Sequence, residues 1–233
     1  MQNYVMATQN KGKIKELKEL LAGTDIDIIS MADAGLADLD IDENGTTCEE
    51  NSLIKARTVA ALTGMPAIAD DAGLFVDALS GDPGIHSARY AGVHGDDAAN
   101  RKLLLSNLAG VPDDKRGAHF MCVISLVYPD PDKAITVPSD PDAVAKAYAE
   151  LDKTSLADPT TKSNEHVFAG RCYGHIGYEE KGTNGFGYDS IFIPTEDNEC
   201  GLTFAEISLE EKNKKSHRAK ALALFKKYLS EQA

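Results

Sequence analysis

Short apolar runs alternate with longer segments of helical periodicity through the first third of the chain, and that alternation limits the fold more than any other feature. Tyr4 to Thr8 reads as a strand. "NKGKIKELKELLA" follows, with Ile14, Leu17, Leu20 and Leu21 on one stripe of a helix. Asp27 to Met31 reads as a second strand. Thr47-Cys48-Glu49-Glu50 has the spacing of a capping box, with Thr47 as N-cap and Glu50 at N3. The helix it opens runs to about Leu62 and is stopped by Gly64 and Pro66. Ala67 to Asp71 and Leu74 to Leu79 read as two further strands, and Asp96 to Leu108 as a helix. His119 to Tyr128 and Val167 to Tyr178 form an antiparallel pair of strands. Strands interleaved with helices imply an α/β or α+β sheet domain.

Between that pair lies a stretch rich in Pro, Asp and Thr, about 129–166, with one helical segment from Asp142 to Leu151. It reads as a surface insertion in a single domain spanning 1–233. "GTNGFGYDSIFIP" is a glycine turn entering a strand. Ser208-Leu209-Glu210-Glu211 is a second capping box, and Ser216 caps a final helix to about Leu229.

The charge balance excludes some partners. The chain of 233 residues carries a net charge of -13, against the basic balance expected of a general nucleic-acid binder. A polyphosphate ligand would have to be held locally. No apolar run approaches the roughly 20 residues of a membrane span, and no charged-then-apolar leader follows Met1. A cytoplasmic protein is expected, which leaves the Asn44-Gly45-Thr46 sequon unused. Cys48, Cys122, Cys172 and Cys200 form no C-x-x-C pair, so they read as reduced thiols and not as a zinc site.

Several stretches bear chemistry. In "ATQNKGK" a strand passes through a polar turn into a helix, and the unpaired N–H groups of a helix start suit phosphate. Thr8 and Asn10 add hydrogen-bonding side chains and Lys13 a charge, although a plain turn capped by Asn10 fits the same residues. Asp38, Asp40 and Asp42 alternate in an acidic loop. The loop is no EF-hand, because Glu43 stands where the sixth-position glycine is needed. In "AIADDAGLFV" two adjacent carboxylates end an apolar strand. Successive strand side chains point to opposite faces, so Asp70 and Asp71 have different tasks. One can meet a hard cation or a water, and the other can hold a loop. In "NGFGYD", flanking glycines let Phe186 approach a planar ligand. Lys212, His217 and Arg218 cluster where two helices meet.

Taken together, "ATQNKGKIKEL", "ENGTTCEENSLIKA", "AIADDAGLFVDALSGDPGIHSARYAG", "GFGYDSIF" and "EEKNKKSHRAKAL" resemble, in this order, the inosine triphosphate pyrophosphatase family. The resemblance covers about 1–128 and 167–229. It implies an elongated mixed central sheet flanked by helices, with two lobes around an active-site cleft, and a cytoplasmic homodimer. The implied reaction is Mg²⁺-dependent hydrolysis of ITP, dITP and XTP to the monophosphate and pyrophosphate, which keeps deaminated purines out of nucleic acids. Carried over, Thr8, Gln9, Asn10, Lys11, Gly12 and Lys13 cradle the triphosphate and Lys55 adds a second charge. Glu43 and Asp71 hold Mg²⁺, Asp71 is the general base, and Ala72 gives a backbone contact. Phe186, Gly187, Tyr188, Asp189, Lys212, His217 and Arg218 face the base. The chain departs from the family at Ala72, where Ser or Thr is common, and at Gln9, His86 and Ser190. The largest departure is the insertion at about 129–166, roughly two dozen residues beyond a typical connection. A pyrimidine-directed pyrophosphatase and a nucleotide sensor without turnover are the rival readings.

Overall fold

A computed structural model describes residues 2–130 and 140–232. Residues 131–139, part of the expected insertion, lie outside the described residues. In chain order the elements are β1 (Gln2–Met6), α1 (Lys11–Leu20), β2 (Ile26–Ser30), α2 (Cys48–Thr63), β3 (Ala67–Val76), β4 (Pro83–Gly84) and α3 (Asp97–Asn107). There follow β5 (Gly117–Val127), α4 (Pro141–Glu150), α5 (Lys153–Leu156), β6 (Glu165–Ile176), β7 (Phe192–Pro194), α6 (Leu209–Lys215) and α7 (His217–Gln232). The strands make one sheet of order β2-β1-β3-β5-β6-β7, with β4 beside β3. It is mixed: β1 runs parallel to β2 and β3, while β3–β4 and β6–β7 are antiparallel. The expected α/β architecture is therefore the observed one.

The chain divides into two compact units. One comprises Met1–Asp71, Val123–Phe168 and Phe225–Ala233, the other Ala72–Cys122 and Ala169–Leu224. In the first unit, Val5 of β1, Ala7 just beyond it, and Ala67 and Ala69 of β3 pack against Leu53, Ala56, Val59 and Ala60 of α2. α2 is buried on nearly every side, which marks a helix covered by neighbours all round. The insertion provides part of that cover. Val144, Ala147, Tyr148 and Leu151 join the same core, and α4 and α5 both contact α2.

Arg57 of α2 fixes this packing. Its Nε and Nη2 donate to the two carboxylate oxygens of Glu165 at 2.8 and 2.7 Å. Its remaining N–H groups donate to the carbonyls of Leu156, Asp158 and Thr160. The guanidinium fork thus satisfies both a buried carboxylate and the backbone of the insertion's end. In the second unit, Leu74, Val76, Leu104, Phe120, Phe192 and Phe204 form the core. Buried Arg116 does there what Arg57 does in the first unit, donating to the carbonyls of Leu108, Ile176 and Gly177.

Two local expectations need correction. Ala67 to Val76 is one strand, not two, because β4 pairs Gly84 with Leu74 and carries the ladder past Gly73. A Cβ on Gly73 would stand 2.3 Å from the Gly84 carbonyl oxygen, so glycine is what permits that pairing. The Thr47 capping box is only half formed. Thr47 accepts the Glu50 N–H at 3.1 Å, but the Glu50 carboxylate reaches the N–H and hydroxyl of Thr46. At Ser208 the reciprocal box is complete.

Burial works to raise the Glu165 carboxyl, but the Arg57 and Lys162 hydrogen bonds outweigh it and hold it below the usual range. A depressed carboxyl contributes stability above its unfolded value, and that stability is lost as pH falls through the folded value. Arg57→Ala should therefore cost about 3–5 kcal/mol at pH 7, measured by urea unfolding. Glu165→Gln should shrink the loss of stability on acidification below about pH 4.5.

Candidate active site

The first unit brings together the charged residues expected to meet phosphate and metal. Asp70 and Asp71 do face different partners. Asp70 Oδ2 lies 2.8 Å from Lys13 Nζ of α1, with the carboxylate 1% exposed. Asp71 Oδ1 lies 3.6 Å from Lys55 Nζ of α2, and the same ammonium lies 3.2 Å from Glu43 Oε1 of the acidic loop. A capped α2 thus carries Lys55 between two carboxylates supplied by other segments. Burial works to lower the Lys55 ammonium's pKa, but Asp71 and Glu43 outweigh it and hold it above the ordinary lysine range. Burial raises the Asp71 carboxyl above its ordinary range, against the pull of Lys55. The Cys48 thiol also hydrogen-bonds this carboxylate, a contact that the sequence pattern did not signal.

Asp71 Oδ2 is buried and has no hydrogen-bond partner among the described residues. A buried oxygen of this kind calls for a cation or a donor. No three His, Cys, Asp or Glu side chains converge among the described residues to cage a metal. Mg²⁺ needs no cage: one or two carboxylates with waters and substrate phosphates suffice. Glu43 and Asp71 fit that demand.

The turn ahead of α1 is built largely as its plain reading expects. Asn10 Oδ1 caps the helix, accepting the N–H groups of Gly12 and Lys13 at 2.9 and 3.3 Å. Thr8 Oγ1 accepts the Asn10 N–H, and Gln9 Nε2 donates to the Leu39 carbonyl. Two of the helix's free donors are thus already taken by the cap. A phosphate there would meet side chains, or displace Asn10. Thr8, Gln9 and Lys11 also line a cavity of about 670 Å³ whose walls include Lys15, Lys18 and Met31 but neither Lys55 nor Asp71.

The second unit gathers the residues expected at the base. Gly185 and Gly187 have φ of +78° and +60°, and the turn they allow puts Phe186 at 78% exposure. Asp189 Oδ2 accepts the Phe186 N–H at 2.9 Å and the Lys212 ammonium at 2.5 Å. Asp189 is thus occupied in shaping the turn, 4% exposed, and Lys212 Nζ lies 4.8 Å from the Phe186 ring centroid. Asp97 and Arg101, one turn apart on α3, hold Gly187 by its N–H and its carbonyl. Sequence reasoning missed both, although their spacing on one helical face was a signal. Tyr188 is buried, donating to the Ser87 carbonyl at 2.9 Å. His217 stacks on Phe120 at 4.8 Å with ring planes 16° apart, and Arg218 follows it, partly exposed. Ala72 is half-buried in β3.

The match to the Ham1 family model runs over residues 4–228. The chain belongs to the Ham1 family. Among Ham1 relatives, the dITP/XTP pyrophosphatase of Haemophilus influenzae is 42% identical, covering 98% of this chain and 99% of its own. That of Bifidobacterium animalis subsp. lactis is 44% identical, covering 94% and 93%. The solved Ham1 protein of Staphylococcus aureus superposes with a TM-score of 0.79 at 33% identity over 100% of both chains. The Ham1 protein of Coxiella burnetii does so at 0.79 and 36% identity, covering 99% and 100%.

Removing one partner of the buried Lys212–Asp189 pair should strand the other. Lys212→Met and Asp189→Asn should each lower stability by about 3–5 kcal/mol, and the double variant should lose clearly less than their sum. Urea unfolding of the four proteins measures this.

Proposed function

We propose that this chain hydrolyses deaminated purine nucleoside triphosphates, ITP, dITP and XTP, to the monophosphate and pyrophosphate with Mg²⁺, cleansing the nucleotide pool. The observation that carries this reading is the Glu43–Lys55–Asp71 cluster with its unpartnered Asp71 oxygen. The names of the relatives, dITP/XTP pyrophosphatase, support the substrate class.

In this reading Glu43 and Asp71 hold the metal. When bound, Mg²⁺ neutralises phosphate charge and orients the phosphoryl group under attack. Lys55 and Lys13 add positive charge, and Lys11 and the Asn10 turn meet the phosphate tail. Asp71 accepts a proton from a water directed at the α-phosphorus. Attack forms a new P–O bond there as the bond to the β-phosphate bridging oxygen breaks, and pyrophosphate leaves. A bound cation would pull the Asp71 carboxyl back down, so Asp71 also serves to orient that water.

Phe186 stacks on the purine, and Lys212, His217 and Arg218 serve the 6-oxo edge, with Gly187, Tyr188 and Asp189 framing the turn. That edge accepts hydrogen bonds where adenine's amino group donates. Donors there go unpaired against adenine, which is a large penalty. A cytoplasmic homodimer belongs to the same reading.

Pyrophosphate release with Mg²⁺ across ITP, dITP, XTP, ATP, GTP, dTTP and UTP tests it. Strong turnover of the first three is expected, falling on the order of 10²–10⁴-fold in Asp71→Asn. Pyrimidine-only turnover, or nucleotide binding without product, would overturn it. Phe186→Ala should cost about 1–3 kcal/mol in kcat/KM for ITP through lost stacking.

A further inference from the structure

The insertion between β5 and β6 has no part in the chemistry above, yet its described portion rests on the elements that carry that chemistry. Arg57, two residues beyond Lys55 on α2, binds the carbonyls of residues 156, 158 and 160. On the other side, α4 seats Tyr148 against the first unit's core and points its hydroxyl at the acidic loop. The Asp42 N–H donates to Tyr148 Oη at 3.0 Å, and the hydroxyl lies 3.4 Å from Asp42 Oδ2, to which it donates.

Asp42 immediately precedes Glu43, and residues 39–45 have no helix, strand or turn of their own. Among the described residues, the Tyr148 hydroxyl is the one group that hydrogen-bonds the loop backbone between Asp40 and Asn44. Beyond it the loop is next held at Gly45, whose N–H donates to Asn51 Oδ1 at 2.9 Å. Glu43 therefore sits between two pins. One is α2 itself, and the other is a tyrosine from the segment between β5 and β6.

We propose that Tyr148 is a positioning residue that fixes the acidic loop so that the Glu43 carboxylate is held ready for the divalent cation. This rests on the reading of Glu43 and Asp71 as the metal carboxylates. The insertion is then a brace for the metal site: α4 grips the loop bearing Glu43, while Arg57 locks the insertion's far end to the helix bearing Lys55. Losing the hydroxyl leaves the ring packed but frees the loop, so ordering Glu43 is charged against cation binding.

The test is Tyr148→Phe, which keeps the ring in the core. Amide hydrogen exchange at residues 40–44 should quicken while α4 stays protected. Free Mn²⁺ followed by electron paramagnetic resonance should show weaker binding, and the Mg²⁺ concentration for half-maximal ITP hydrolysis should rise by about fivefold. The kcat at saturating Mg²⁺ should stay within about twofold. Unchanged exchange and unchanged cation affinity would overturn the proposal. So would exchange that quickens throughout α4 with a fall in Tm, since the hydroxyl would then serve the fold alone. A wild-type protein that hydrolyses none of the nucleotides would overturn the pyrophosphatase reading instead. Exchange and the Mn²⁺ titration would then decide the role of Tyr148 on their own.

Discussion

Burying Asp70 and Asp71 side by side in β3 obliges the fold to bring a cation to each. Desolvated carboxylates left unpaired are costly, and two adjacent ones repel. Strand geometry separates them by pointing them to opposite faces. α1 answers one with Lys13, and α2 answers the other with Lys55. The helices are thus tied to the strand by charge as well as by apolar packing. The acidic loop is drawn in too, because Lys55 also takes Glu43. A site that concentrates negative charge around one ammonium and one unpartnered carboxylate oxygen is suited to a divalent cation and the phosphates it accompanies.

The same economy of charge appears away from that cluster. Arg57 and Arg116 are each buried and each use a planar fork to hydrogen-bond several backbone carbonyls. Lys212 and Asp189 play a comparable part in the second unit, where they hold the Phe186 turn. Irregular backbone is kept in place here by buried charges with several hydrogen bonds each, which is how a loop-rich site is kept rigid.

Much of this was legible from residue order. Most elements lie within a few residues of where apolar period and caps placed them, because those signals act over one or two turns of chain. Ser208 and Ser216 cap α6 and α7 as their positions imply. The break expected after Asp71 was wrong for a tertiary reason: β4, itself two residues long, supplies the pairing that keeps β3 extended. Asp189 is expected to face the base, and in the structure its carboxylate accepts the Phe186 N–H and the Lys212 ammonium, which arrives from α6.

By itself the sequence determined the strand–helix alternation, the placing of Asp70 and Asp71 on opposite faces, the glycine-flanked turn at Phe186 and the family to which these stretches belong. Each follows from local stereochemistry or from motifs carried whole in the chain. Only the tertiary structure decided which cation meets which carboxylate, and that Arg57 and Tyr148 turn the insertion into part of the first unit's core. Those pairings join residues as far apart as Arg57 and Glu165, or Asp42 and Tyr148. No local rule of backbone preference reaches across such separations. They are settled by which buried polar groups find partners once the apolar faces have packed.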